Sequence, residues 1–276
     1  RIMKFINIIM KKERVYLTEL YYFALSFFVY GFLGWCTEVA YAAAKQGKFV
    51  NRGFLNGPIC PVYGIGVGVV VQFLTPVENN LVLLYISSTI LVTVIEGITG
   101  FLLEKIFHNK WWDYSDMPLN IGGYVCLLFS IVWGFACLFI IYFIQPLVHD
   151  VLAFIPTIVG IILIVILGII LIADLYVTAS TIFKFNRRLA AMEKIAAEMH
   201  EISDQIGQEI FEKTIRAMDA RERSQEISEE LRSRIASLHA RYHESTDKPE
   251  RISRRLMNAF PKMESRQYKE SLEVLK

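Results

Sequence analysis

Five stretches of this chain, residues 20–44, 57–74, 81–107, 124–144 and 151–177, are too long and too continuously apolar to be absorbed by a water-facing core. A helix needs roughly 20 apolar residues to cross bilayer hydrocarbon. Four of the stretches reach that length and residues 57–74 come close, so hydrophobic residues making up 54% of the chain have a place in lipid. The fold class that follows is all-α: a polytopic helical membrane protein of about five transmembrane segments, with a charged amphipathic-helical tail.

The charges divide the chain in the same way. Residues 1–183 hold 10 Lys/Arg and 10 Asp/Glu, whereas residues 184–276 hold 19 and 17. This gives a basic N-terminal segment (1–19), a transmembrane domain (20–177) and a water-facing helical tail (178–276). The split excludes a disordered chain and a disulfide-stapled secreted module. A net charge of +2 leaves no footprint for nucleic acid. Cys36, Cys60, Cys126 and Cys137 lie in or beside apolar stretches with no C-x-x-C pair, and read as small buried hydrophobes. His108 has no second His or Cys at ligand spacing, so neither a metal nor another cofactor is expected.

Orientation follows from the basic loops. Lys45, Lys48 and Arg52 sit in one loop and Lys105 and Lys110 in another, while residues 75–80 and 146–150 carry no Lys or Arg. Five crossings put both basic loops and the tail on one side, cytoplasmic in a plasma membrane, at the cost of leaving Arg1, Lys4, Lys11, Lys12 and Arg14 outside. In the alternative, residues 57–74 are re-entrant and both termini are cytoplasmic.

Within the spans, carboxylates are the first candidates for function, because an ionised carboxylate in hydrocarbon costs at least about 2.5–3.5 kcal/mol. Glu96 is the most deeply embedded. Glu96, Gly100 and Glu104 recur every four residues and share one helix stripe, with the glycine admitting a neighbouring helix. Glu38 and Asp174 lie nearer their interfaces and read as structural. The run Asn51-Arg52-Gly53-Phe54-Leu55-Asn56-Gly57-Pro58-Ile59-Cys60-Pro61-Val62-Tyr63-Gly64 describes a broken approach to the membrane rather than an ordinary helix start. Arg52 in that run can pair with Glu38 or Glu96, hold an anionic ligand, or serve as a positive-inside anchor. A second irregular loop holds Trp111, Trp112, Asp113, Tyr114, Ser115 and Asn120, and its aromatics read first as an interfacial belt.

The tail carries Met192, Ile195, Met199, Ile202, Ile206 and Ile210 at helical spacing, then a less regular stripe through Ile215, Met218, Ile227, Leu231, Ile235 and Leu238. Residues 246–249 break the pattern. Arg251, Arg254 and Arg255 then precede Leu256–Pro261, a piece suited to an anionic leaflet or to folding back on the body. No phosphate-binding loop, dinucleotide fingerprint, nucleophile elbow or zinc-protease helix occurs, so no enzyme activity is expected and any ATP-driven work needs a separate ATPase chain.

Gly34-Trp35 with Glu38, the run from Asn51 through Gly57-Pro58 to Pro61-Val62-Tyr63-Gly64, Glu96-Gly97 through Gly100 to Glu104, Trp112-Asp113-Tyr114-Ser115 and Pro118-Leu119-Asn120-Ile121 appear in one ordered series. In this the sequence resembles the bacterial family labelled putative ABC transporter permease, or putative ABC-transporter type IV of the CmpB kind. The piece Ala259-Phe260-Pro261-Lys262-Met263 is similar to endings of the same family. The resemblance implies an integral membrane subunit of a transporter; together with the embedded carboxylates and the broken approach it makes Glu38, Arg52, Glu96 and Glu104 the residues expected to line a polar path. The alternative function is a membrane-anchored scaffold that recruits partners through its tail. Partners expected are the lipid bilayer, an ATPase subunit and a second copy through helix packing or the tail.

Overall fold

The computed structural model describes residues 2–216, 233–242, 251–261, 263–265 and 268–275. The expected stripe at Met218, Ile227 and Leu231 and the break at 246–249 lie outside the described residues. Two compact units form. The first comprises Arg1–Ala179 with Arg255–Met263, and the second comprises Ser180–Arg254 with Glu264–Lys276.

In the first unit, α1 (Ile2–Gln46), α3 (Leu81–Phe107) and the opening of α6 (Thr157–Arg216) are long and apolar. So is the continuous segment Leu127–Ala153, made of α4 (Leu127–Phe139), a π-helical turn (Ile140–Ile144) and α5 (Gln145–Ala153). Among the described residues, these are the four helices long and apolar enough to cross a membrane. The protein is an all-α membrane protein. A shorter helix, α2 (Pro61–Leu74), lies between α1 and α3.

Helix α2 covers about 21 Å at 1.5 Å per residue, too little for a hydrocarbon layer about 30 Å thick. It begins deep in the unit, because the Cys60 N–H donates to the Gly31 carbonyl at 2.9 Å. Gly31 is 15 residues before the end of α1, about 22 Å down its axis. From there α2 runs antiparallel to α1. Tyr63 lies over Gly34, Gly64 meets the Phe27 carbonyl, and Gly68 meets the Phe23 ring. A Cβ at Gly34 would overlap the Tyr63 ring, so glycine is what lets the two helices close up. Residues 47–60 therefore descend without regular structure beside the last third of α1, and α2 completes the traverse. The chain does not turn back as the re-entrant alternative expected.

The other helices alternate in direction. Thr89 of α3 meets Gly134 of α4, Tyr142 donates to the Glu78 carbonyl in the α2–α3 turn, and Tyr21 of α1 packs on Gly160 near the start of α6. One end of the unit, the loop face, collects Gln46, the end of α3 and the loop after it. The opposite end, the turn face, collects residues 75–80 and 154–156. The segments expected at 124–144 and 151–177 are displaced. Residues 146–150 are helical rather than a loop, because Pro146 stands in the first turn of α5 directly after the π-helical turn, where its missing N–H is tolerated. The chain turns instead at 154–156, and Asn80 caps α3 by accepting from the Leu83 N–H.

In the second unit, Ile195, Ile202 and Leu238 form a buried cluster with Met199, Ile235 and Tyr242 around it. Residues 233–242 are helical (α7), and the Ser271 hydroxyl of the last helix donates to Glu193 at 2.9 Å. Residues 251–259 form a further helix (α8), of which Arg255–Ala259 belong to the first unit.

Candidate functional site

The loop 51–57 hydrogen-bonds at depth without being a helix, so each of its backbone groups needs a named partner. In hydrocarbon every unsatisfied group costs several kcal/mol. Asn51 folds the loop on itself: Oδ1 accepts from Gly53 N–H at 3.0 Å and from Trp35 Nε1 at 2.8 Å, while Nδ2 donates to the Asn56 carbonyl at 2.9 Å. Asp174 of α6 receives the loop's donors. Its carboxylate accepts from Asn56 N and Nδ2 at 3.1 and 2.8 Å, Gly57 N at 2.7 Å and the Thr178 hydroxyl at 3.2 Å. Arg255 satisfies the opposite polarity, donating to the Asn51, Gly53 and Phe54 carbonyls at 3.4, 2.8 and 3.0 Å. Burial disfavours the Arg255 charge and lowers its pKa, against the opposing pull of Asp174. Leu55, with no exposed surface, anchors the loop's centre.

This arrangement presents Arg52 to Glu38. Arg52 Nε donates to Glu38 Oε2 at 2.9 Å, with both side chains about one-quarter exposed (22% and 25%), and the Tyr63 hydroxyl donates to Glu38 Oε1 at 2.8 Å. The guanidinium also lies over the Tyr41 ring. From Tyr63 the group extends inward. Its ring meets Trp133 of α4 edge-on at 5.9 Å between centroids, and Trp133 lies against the Glu96 carboxyl. Glu96 Oε1 accepts from the Tyr114 hydroxyl at 3.3 Å, while Oε2 is buried with no hydrogen-bond partner among the described residues. Two carboxyls from α1 and α3 are thus joined by two tyrosines and a tryptophan inside otherwise apolar helices. Glu38 has a basic partner, and Glu96 has neutral donors beside it.

The second loop delivers Tyr114. Lys110, 9% exposed, donates to Asp113 Oδ1 at 2.8 Å, Ser115 Oγ at 3.4 Å and the Gly122 carbonyl at 3.2 Å. Desolvation raises the Asp113 pKa, but bonds from Lys110 and Ser115 outweigh it and hold the carboxyl below its ordinary value. Burial, then the nearby Glu96, pushes the Tyr114 phenol up. A short ladder of Asn120–Ile121 with Val125–Cys126 closes the loop, turning through Gly122 and Gly123 at φ of 61° and 73°. Of the expected aromatic belt, Trp111 lies inside the protein and Trp112 and Tyr114 are half-buried. Trp111 is 4% exposed among Phe54, Phe107 and Phe260, and Trp112 donates to the Tyr124 carbonyl at 2.9 Å and packs on Gly100. The two irregular loops meet where the Phe54 ring packs edge-on against Trp111 at 5.1 Å.

The model of the family described as putative ABC-transporter type IV matches residues 25–179. The chain belongs to this family. The family segment stops at Ala179, where the main run of the first unit also stops, and it contains both irregular loops and both linked carboxyls. No curated protein and no solved structure matches the chain.

Within the family segment, the structure brings Glu38, Arg52 and Tyr63 together at one carboxyl and Glu96 and Tyr114 together at the other. Glu104, 7% exposed, lies two turns further along α3, and its carbonyl accepts from His108 at the helix end. Asn51, Gly53, Gly57, Trp112, Asp113 and Asn120 lie in the two loops, Gly100 of α3 lies under Trp112, Pro61 and Gly64 stand in the first turn of α2, and Pro58 is exposed. Asn56, Trp133, Asp174 and Arg255 carry contacts at the site that their local sequence does not signal. Asn56 and Asp174 are separated by 118 positions, and nothing local signals their pairing. Trp133 is one aromatic in an apolar run.

Proposed function

We propose that this chain is the integral membrane subunit of an ABC-type transport system whose ATPase is a separate chain, located in the bacterial plasma membrane with the loop face and the tail cytoplasmic. The observation that carries this reading is the linked group Glu38–Arg52–Tyr63–Trp133–Glu96–Tyr114 inside apolar helices. A plain anchor has no use for two carboxyls in its interior, and intramembrane ionisable groups mark transport routes. The broken approach before α2 supports the same reading, since interrupted helices and irregular backbone at depth line transporter sites. Family membership agrees with it.

The test is to isolate the full chain with its associated subunits from native membranes, reconstitute the complex in proteoliposomes and compare ATP hydrolysis with that of Glu96→Gln. The proposal expects an ATP-hydrolysing partner and a loss of at least tenfold in the coupled rate. Unchanged hydrolysis in Glu96→Gln removes Glu96 from the site, and a complex without ATPase removes the ABC assignment.

A second reading, a membrane-anchored scaffold, rests on the 36 charges in residues 184–276. It expects Glu96→Gln to leave function intact while loss of the tail abolishes partner recruitment.

A further inference from the structure

The C-terminal piece 255–263 belongs to the first unit although the residues just before it and just after it belong to the second. It is a strap across the loop face, held at three places. Arg255 bonds to the carbonyls of Asn51, Gly53 and Phe54, on both sides of Arg52. Ala259, with no exposed surface, packs with Ala42 at the end of α1 and Val50 at the start of the loop. The Phe260 ring meets Trp111 edge-on at 5.2 Å.

The attachment is incomplete. Arg255 Nε is buried without a hydrogen-bond partner among the described residues, and the guanidinium bonds carbonyls rather than a carboxylate. A half-buried charge in that state holds less firmly than a bidentate ion pair. The helix behind it has nine residues, too few to persist without its contacts.

We propose that residues 255–263 are a releasable latch: docked, they pin the loop that holds Arg52 against Glu38, and undocked, they free that loop to move Arg52 away. The three carbonyls that Arg255 satisfies lose their donor on release, so the loop cannot keep its docked form at the same depth. Latch and loop therefore open together. Because the run Ser180–Arg254 of the second unit leads directly into the latch, a partner that engages that unit has a covalent handle on the opening. This inference stands on the loop geometry alone and does not require the transport reading.

The test is hydrogen–deuterium exchange on the full chain in lipid nanodiscs, following peptides that cover 49–57, 256–263 and α3. In the unaltered chain the first two should exchange at a common rate, well above that of α3. Arg255→Ala should speed exchange in 49–57 at least tenfold and leave α3 unchanged, Arg255→Lys should fall between, and Phe260→Ala should reproduce the effect from the latch's other end. Arg251→Ala, at an exposed position on the same helix, should change nothing. Release of 256–263 with 49–57 still protected, in either variant, overturns the proposal. A uniform rise that includes α3 overturns it too, since the contact is then a general stabiliser rather than a latch.

Discussion

Arg52 and Glu38 illustrate how a charge is kept at depth. The pair is neither fully buried nor free in water, and a second bond, from Tyr63, fills the remaining carboxylate oxygen. Removing one member strands the other. Arg52→Ala should lower stability by about 1–3 kcal/mol, and removing both should recover part of that loss. Thermal unfolding of the four members of the Arg52/Glu38 cycle in nanodiscs measures the coupling; strictly additive losses would mean that the pair is not an interacting unit. Gly34 gives a steric counterpart. Gly34→Ala places a methyl against the Tyr63 ring and should cost about 1–3 kcal/mol. Gly66→Ala, with nothing within 4 Å of the added carbon, should be neutral or slightly stabilising in the same unfolding measurement.

At the scale of elements, the loop after α3 is held by one carboxylate. The folded Asp113 pKa lies below its ordinary value, so its stabilisation is fully present above the ordinary carboxylate range and is lost as pH falls through the folded value. Acidification should loosen residues 110–123 before the helices respond. Trp111 and Trp112 fluorescence in an otherwise Trp-free chain should report this step, and Asp113→Asn should remove its pH dependence. The same loop shows what the sequence could express. The spans at 81–107 and the broken approach at 51–64 were legible, because apolar length and Pro/Gly punctuation are local. The helix through Pro146 was not, since a proline in an apolar run reads as a boundary until the π-helical turn before it is seen. Trp111 and Trp112 were read as belt residues because composition places aromatics at an interface but cannot tell lipid from a neighbouring loop. The bond from Asn56 to Asp174 and the one from Arg255 to Phe54 join positions 118 and 201 residues apart, and only the fold brings them together.

At the scale of the first unit, the described chain runs from one end to the other five times, the second passage being an irregular descent followed by the short helix α2. Everything at the site depends on it, because the descent is what places Arg52 beside Glu38 and opens α2 at the level of Gly31. Single cysteines at Phe49 and Leu119 on the loop face and at Asn79 and Phe154 on the turn face, in a cysteine-free full chain, test it by labelling with a membrane-impermeant maleimide in sealed vesicles of known orientation. Five passages put Phe49 and Leu119 on one side together with a tail position, so these should label from that side, and Asn79 and Phe154 should label only from the other. Labelling of Phe49 and Asn79 from the same side would mean that residues 47–77 return to the face they left, and would contradict it.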